Sequence, residues 1–509
     1  MTAPRTVFIE LTSHCNMHCE FCPSDLLRRP KGTIDDATVR RFLDGLHATG
    51  ARPPVMLNVL GEPLLNKRVF EYLDLLERDG HPVTLITNMT QLAAPAVRRE
   101  LLRHANLTLA LSLQTATRES FRLRGYPRLG VDDLIDLAYA TAEDKFRYGS
   151  GTRLEIHVAS TWVLHHDPSI QSDYPLDLWP NFPDEKSERR WIGKTLRRLQ
   201  SFGRTMRRRY PEAYAAERAR ARSLYAAQIG TRIATTRAML PPDFHRLKED
   251  AFWGYMPLPN AFLVFKSFEL WTREEAFLRR SLPAGAFVFI EENPGPQGCV
   301  MADSLGVLAD GRYVLCCLDY EGDMNLGRVG DLDVGAVLAG EHRARIRADA
   351  MTEPLCRRCK GCLLVFETTP VNAAEQAVDK FGRGWWPYQP AVPGTTSQWT
   401  GDRSNAYVLV RIPASRLDVD YSPGFGAPGP ATVRLESYEP EARTFTTEAT
   451  VDLPGAPGER RTVQIDFPFD LGRMYRVKFD SPTFVPAEQF GGDDTRRLGV
   501  AVLDLRLRA

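Results

Sequence analysis

A chain of 509 residues is long for one domain, and at roughly 150 residues per domain it should hold two to four units. A formal charge of +1, with 43% hydrophobic and 25% charged residues, is the composition of a globular enzyme and gives no polyelectrolyte signal for a nucleic-acid partner. The opening MTAPRTVFIELTSHC has neither a basic leader nor an apolar run long enough for export, and no later run reaches membrane-spanning length, so no membrane span is expected and the expected location is cytoplasmic.

From Val7 onward, short apolar runs alternate with helical patterns. VFIEL comes first, then a helix near 34–48, VMLNVL, a helix near 67–79, VTLIT, a helix near 95–103, LTLALSL and, after a further helix, LEIHVAST at 154–161. Strands alternating with helices predict a parallel sheet with right-handed crossovers. No glycine-rich G-x-G-x-x-G turn follows the first strand, which argues against a dinucleotide-binding sheet. The expected fold is α/β: a partial (β/α)6 TIM-like barrel, residues 1–165 and 250–290, with its site at the C-terminal strand ends.

Residues 166–249 read as a basic helical insertion. From Asp184 to Asp250 there are 17 Lys and Arg against 8 Asp and Glu. Such a stretch is either a solvated helical face or a positive cover that attracts an anionic substrate or a membrane surface. A small cysteine-bearing unit is expected over 291–370. Beyond it, over 388–509, AYVLVRIP, ATVRLESY, RTVQIDFPF, RMYRVKF and LGVAVLDLRL are short alternating strands separated by Gly, Pro and Asp turns, the pattern of a C-terminal antiparallel β-sandwich. The sandwich has neither Cys nor His, so a binding or packing role is expected there.

The nine cysteines fall in two groups, which in a reducing compartment favours metal over disulfides. Cys15, Cys19 and Cys22 follow the first strand directly. With His14 or His18 they could close a zinc tetrahedron. A cubic iron–sulfur cluster held by three thiolates alone would instead keep one iron open to a chelating cofactor. In the second group Cys299, Gly311 and Cys316 read Cys-x11-Gly-x4-Cys, followed by CRRCKGC with Cys356, Cys359 and Cys362. Four of these sulfurs suit either zinc or a four-iron cluster.

CNMHCEFC resembles the Cys-x3-Cys-x-aromatic-Cys signature of the radical S-adenosylmethionine (SAM) enzymes. LGEP (60–63) resembles their Gly-Gly-Glu-Pro segment, TNMT (87–90) their third-strand Thr-Asn-Gly-Thr, and SLQT (112–115) their fourth-strand Ser-x-Asp segment. The resemblance covers residues 5–165 and part of 250–290. It implies SAM as cofactor and a catalytic [4Fe-4S] cluster on Cys15, Cys19 and Cys22, with Phe21 beside the adenine. Gly61, Glu62, Pro63, Asn88, Ser112 and Gln114 are the implied cofactor-binding residues, Glu62 taking the methionine amino group. It also implies a reducing electron donor such as flavodoxin or ferredoxin.

The second group resembles the SPASM and twitch extensions of these enzymes. The full SPASM pattern has more cysteines, so the resemblance implies one auxiliary [4Fe-4S] cluster, with Cys299, Cys316, Cys356 and Cys359 as ligands and Cys362 able to replace Cys359. Cys317 is then left as an inert thiol or a hydrogen-atom donor. Twitch-type relatives oxidise or epimerise alcohol carbons of sugars and aminocyclitols. The expected substrate is therefore a small molecule or glycan, and an anionic one if the basic insertion covers it. The alternatives are a ribosomally made peptide, for which no leader-binding unit is expected ahead of the barrel, and a non-catalytic metal-binding scaffold. Barrel-lining Glu10, Asn58 and His157 read equally well as structural polar groups.

Overall fold

The computed structural model describes residues 3–160, 179–225, 245–246, 253–266, 277, 282, 285–292, 298–359, 362–382, 384–387, 398–401, 403–424, 430–491 and 496–509. Residues 166–178, 226–244 and 247–249 of the basic insertion lie outside the described residues. Two compact units form: Met1–Ser281 with Asn293–Lys360, and Leu282–Glu292 with Gly361–Ala509.

The first unit is a βα series. Strands β1 (Val7–Ile9), β2 (Val55–Met56), β3 (Val83–Thr87), β4 (Leu107–Gln114) and β5 (Arg153–Ala159) are linked by helices α1 (Asp36–Ala48), α2 (Val69–Arg78), α3 (Pro95–Leu102) and α4 (Val131–Arg147). Apolar spacing decides which helix faces are buried: Val39, Phe42, Leu43 and Leu46 on α1, and Val69, Tyr72, Leu73 and Leu76 on α2. The Asp35 carboxylate caps α1 by accepting the Thr38 N–H at 2.9 Å. β2 is only two residues long, because beyond Leu57 the chain turns into the LGEP segment.

Two basic helices follow, α5 (Glu185–Arg209) and α6 (Pro211–Tyr225), and then β6 (His245–Arg246), β7 (Trp253–Leu258) and β8 (Ala261–Lys266). β8 pairs in parallel with β5, His157 opposite Val264, so α5 lies on a barrel crossover. Its Ile192, Leu199 and Met206 enter the core that also holds Leu258, Leu263 and Phe265. Apart from Glu188, buried beside Ser160, the charged residues on α5 thus form the outer face of an amphipathic barrel helix.

After β9 (Phe287–Glu291) come β10 (Leu305–Val307) and β11 (Tyr313–Val314), and β10 adds in parallel to the free edge of β1 with Val7 opposite Leu305. Helices α7 (Val334–Ala339), α8 (Glu341–Ala348) and α9 (Pro354–Cys359) complete this segment. α7 packs so closely on α1 that a Cβ on Gly45 would lie 2.9 Å from Val334 Cγ2. The sheet order is β11-β10-β1-β2-β3-β4-β5-β8-β7-β6, with the run from β10 to β8 parallel. Residues 299–359 are therefore built onto the barrel edge.

In the second unit β9, expected to finish the barrel, instead pairs antiparallel with β12 (Cys362–Phe366), Cys362 opposite Glu291. The rest is a two-sheet sandwich. One sheet centres on Ala414–Ser422, Arg461–Phe469 and Ala501–Arg508, the other on Arg403–Leu409, Ala431–Glu439, Thr444–Leu453 and Met474–Asp480. Alternating residues such as Val408, Val419, Val433, Val477 and Leu505 fill the space between them.

Candidate functional site

The loop after β1 carries Cys15, Cys19 and Cys22 at the C-terminal end of the parallel strands, where barrel sites lie. Burial pushes all three thiols up; Cys22 reaches about 12, helped by the neighbouring Cys19 and Cys15 sulfurs. Left to themselves these sulfurs stay protonated, whereas a coordinated metal deprotonates a thiol outright. Cys15 Sγ accepts the Met17 N–H at 3.5 Å and the Asn88 Nδ2–H at 3.6 Å, and Cys19 Sγ lies 3.6 Å from Arg124 O. His18, one of the two histidines that could complete a zinc site, is exposed and paired with Asp25 at 3.1 Å, and His14 is exposed too. The donor set that faces inward is three sulfurs, which fits a cluster with one open iron.

The LGEP segment is fastened to this loop. Gly61 has φ +79°, and a Cβ there would lie 2.2 Å from Thr12 O and 2.9 Å from His14 O. Only glycine tolerates both the left-handed backbone and the approach. Next to it the Glu62 N–H donates to His14 O at 2.9 Å. The Glu62 carboxylate, 1% exposed, accepts from Asn88 N at 2.6 Å, Thr87 Oγ1 at 2.9 Å and Leu64 N at 3.2 Å. Even so, burial pushes this carboxyl up to about 7. Arg124 offsets this only in part, so burial dominates, and a ligand amino group donating to the carboxylate would favour its charged form. Pro63 opens the short turn that follows.

Asn88 links the elements: its Nδ2 donates to Asn16 Oδ1 at 2.7 Å, and its Oδ1 accepts from Thr90 Oγ1 at 2.8 Å. At the end of β4, Gln114 turns at φ +54° and its Nε2 donates to Ser112 Oγ at 3.1 Å. Ser112 faces His157 across the β4–β5 ladder. Phe21 is buried and meets the Trp179 ring edge-on at 6.4 Å. On alternate positions of β5, Arg153 pairs with Glu155 at 2.5 Å and Glu155 with His157 at 2.9 Å. Burial lowers the His157 pKa; it raises that of Glu155, but His157 and Arg153 hold this carboxyl below its ordinary value.

In the auxiliary segment, burial and then the Cys299 and Cys359 sulfurs push Cys356 up to about 12. Cys316 is buried beside Cys317 and raised well above its ordinary value. Cys362 opens β12 in the second unit, and its side chain lies outside the described residues.

Several residues here carried no sequence signal. Arg124, 2% exposed, sets its guanidinium among Cys15, Cys19 and Glu62, with Nη2 3.1 Å from Met17 Sδ and no partner for Nε among the described residues. Asn181 ties the ends of β4 and β5 together by donating to Gln114 O at 2.9 Å and Ala159 O at 2.6 Å. Burial raises the Asp319 carboxyl to about 7, and its charge bears on both Cys316 and Cys356. Only Asp319, three residues after a cysteine, had a neighbour in sequence that could have drawn attention to it. Glu10 proves to be a hub: its carboxylate takes Arg29 Nη2 at 2.6 and 2.7 Å, Leu60 N at 3.3 Å and Ala309 N at 2.9 Å.

Comparison with known proteins agrees with this geometry. The radical SAM superfamily model matches residues 9–149, and the SPASM iron–sulfur cluster-binding domain model matches residues 299–363. An AdoMet-dependent heme synthase of Methanosarcina barkeri (strain Fusaro / DSM 804) is 33% identical over 202 residues, 40% of this chain and 48% of its own, so the chain spans about half the length of that relative. Among solved structures, BtrN in complex with AdoMet and 2-DOIA aligns over 71% of this chain and 93% of its own at 12% identity and a TM-score of 0.34. Streptococcus suis SuiB bound to precursor peptide SuiA aligns over 68% and 67% at 15% identity and a TM-score of 0.39. The first domain implies SAM and a [4Fe-4S] cluster, and the second implies auxiliary iron–sulfur. With the three-sulfur loop, the buried glutamate and Cys356 beside Cys299 and Cys359, the chain carries a radical SAM domain over residues 9–149 and a SPASM iron–sulfur cluster-binding domain over residues 299–363.

Proposed function

We propose that this protein cleaves SAM reductively and takes a hydrogen atom from a carbohydrate-type substrate, giving oxidation or epimerisation of an alcohol carbon. The observation that carries the reading is the convergence of the Cys15, Cys19 and Cys22 loop with buried Glu62 through Gly61 and Asn88. When bound, the cluster and SAM supply a 5′-deoxyadenosyl radical, and a reductant such as flavodoxin or ferredoxin supplies the electron.

Glu62 would accept from the SAM amino group, with its carboxylate oriented by Asn88 N and Thr87 Oγ1. Arg124, with its spare Nε–H, Ser112 and Gln114 are the groups available to the carboxylate and ribose, and Phe21 backs the adenine. Cys299, Cys316, Cys356 and Cys359, all in the first unit, hold the auxiliary cluster. Cys317 stays outside that set as the candidate hydrogen donor. Glu155, His157 and Ser112 offer hydrogen-bond partners of the kind that hydroxyl groups need, which supports a polyhydroxylated substrate.

Anaerobic reconstitution tests the reading. The wild type should hold about eight irons per chain, for two four-iron clusters. The Cys15→Ala, Cys19→Ala, Cys22→Ala variant should hold about four and lose SAM cleavage. Zinc in place of iron, or cleavage that survives the triple change, would overturn it.

A further inference from the structure

The corner between α5 and α6 forms an open cavity of about 620 Å³, within the range of small-molecule sites. Each helix turns a stripe of residues toward it: Gln200, Gly203, Arg204 and Arg207 from α5, and Tyr214, Arg218, Ala221 and Arg222 from α6. These spacings of three and four place the residues of each stripe on one helix face. Among the described residues four guanidiniums line the cavity and no carboxylate does. Arg204, Arg207, Arg218 and Arg222 have no ion-pair partner among the described residues. On the same helices Arg189, Arg209 and Arg220 pair with Glu185, Glu143 and Glu217 at 2.5, 2.7 and 3.2 Å.

Like charges three or four residues apart weaken a helix, and two such pairs face each other here. Their charge, uncompensated among the described residues, is complementary to an anion with several oxygens, which guanidinium forks bind in pairs. The floor is apolar, formed by Ala221, Met256 and Leu258, with a Cβ at Gly203 only 2.8 Å from Leu258 Cδ2. The cavity borders the turn leading into β8, at the end where the parallel strands begin. The cysteine loop follows the opposite ends, and β8 alone spans roughly 17 Å. What binds here is therefore not the group that meets the radical.

We propose that this cavity is a second binding site, for a phosphate or pyrophosphate group carried on an apolar body. It stands independently of the SAM reading. Isothermal titration of the reconstituted full chain with inorganic pyrophosphate tests it, alongside R204Q/R218Q and a control, R190Q, on an exposed part of α5 outside the cavity. Wild type and R190Q should bind, R204Q/R218Q at least about tenfold more weakly, with SAM cleavage equal in all three. Flotation with vesicles containing phosphatidic acid, lost in the double variant while pyrophosphate gives no heat, supports the site with a lipid headgroup as the source of the phosphate. Equal binding by the double variant, or no binding of either probe, overturns the site and leaves the radical SAM reading untouched.

Discussion

Leu60 stands where the resembled Gly-Gly-Glu-Pro segment has its first glycine. Its side chain fills a small core with Phe8, Val59, Leu308, Val314 and Tyr320, on which half-buried Cys22 and Cys317 also pack. The glycine that needs a left-handed backbone is Gly61, and it is retained. Beside it, Glu62 gives a pH prediction. Burial holds its carboxyl near 7, so below that pH it is protonated and is a poorer acceptor for an amino group. SAM affinity of the reconstituted protein should rise up to about tenfold per pH unit toward pH 7 and level off above it. Binding titrations from pH 5.5 to 8 check this, and a flat profile in the wild type would count against Glu62 as the amino group's partner. At this scale the cysteines and Glu62 were legible, because local spacing imposes their chemistry. Arg124 and Asn181 were not, since they reach the site through contacts that only the fold creates.

The element that joins the cysteine loop to the auxiliary segment is a buried clasp. Arg29 Nε donates to Tyr320 O at 2.6 Å while its Nη2 grips Glu10, and the Glu321 carboxylate accepts the Arg28 N–H at 2.9 Å and the Arg29 N–H at 3.2 Å. Arg29→Met would strand the Glu10 carboxylate, which is fully buried, and should cost about 3–5 kcal/mol. Urea unfolding of the single variant and of Glu10→Gln with Arg29→Met separates a broken pair from lost packing: the double change should recover part of the loss. Helices α1 to α3 and strands β3 to β5 were legible from apolar periodicity alone. The pairing of β10 with β1 was not, because nearly 300 residues separate partners that each span three residues.

For the whole molecule the unexpected feature is that the second unit is discontinuous in sequence. β9 brings Phe289 into ring contact with Tyr407, Tyr438 and Phe445 at 5.3, 5.3 and 5.6 Å. Phe289→Ala should therefore destabilise that unit by roughly 2–3 kcal/mol, seen as a shift of one unfolding transition in calorimetry, with SAM cleavage unaffected. Five of the sandwich strands were legible from two-residue alternation, whereas Ala414–Ser422 and Thr444–Leu453 were not singled out. The unit's debt to residues 285–292 was not, since a short apolar run of that kind also fits a last barrel strand.

That discontinuity matters while the chain is being made. β9 leaves the ribosome before any residue of β12, and at 5–20 residues per second it waits on the order of seconds for the partner that pairs with it. During that interval Phe287, Val288, Phe289 and Ile290 present an apolar strand with an open edge, a template for association with other nascent chains. The yield of soluble protein should thus depend on translation speed between these two strands and on chaperones that hold the first until the second arrives.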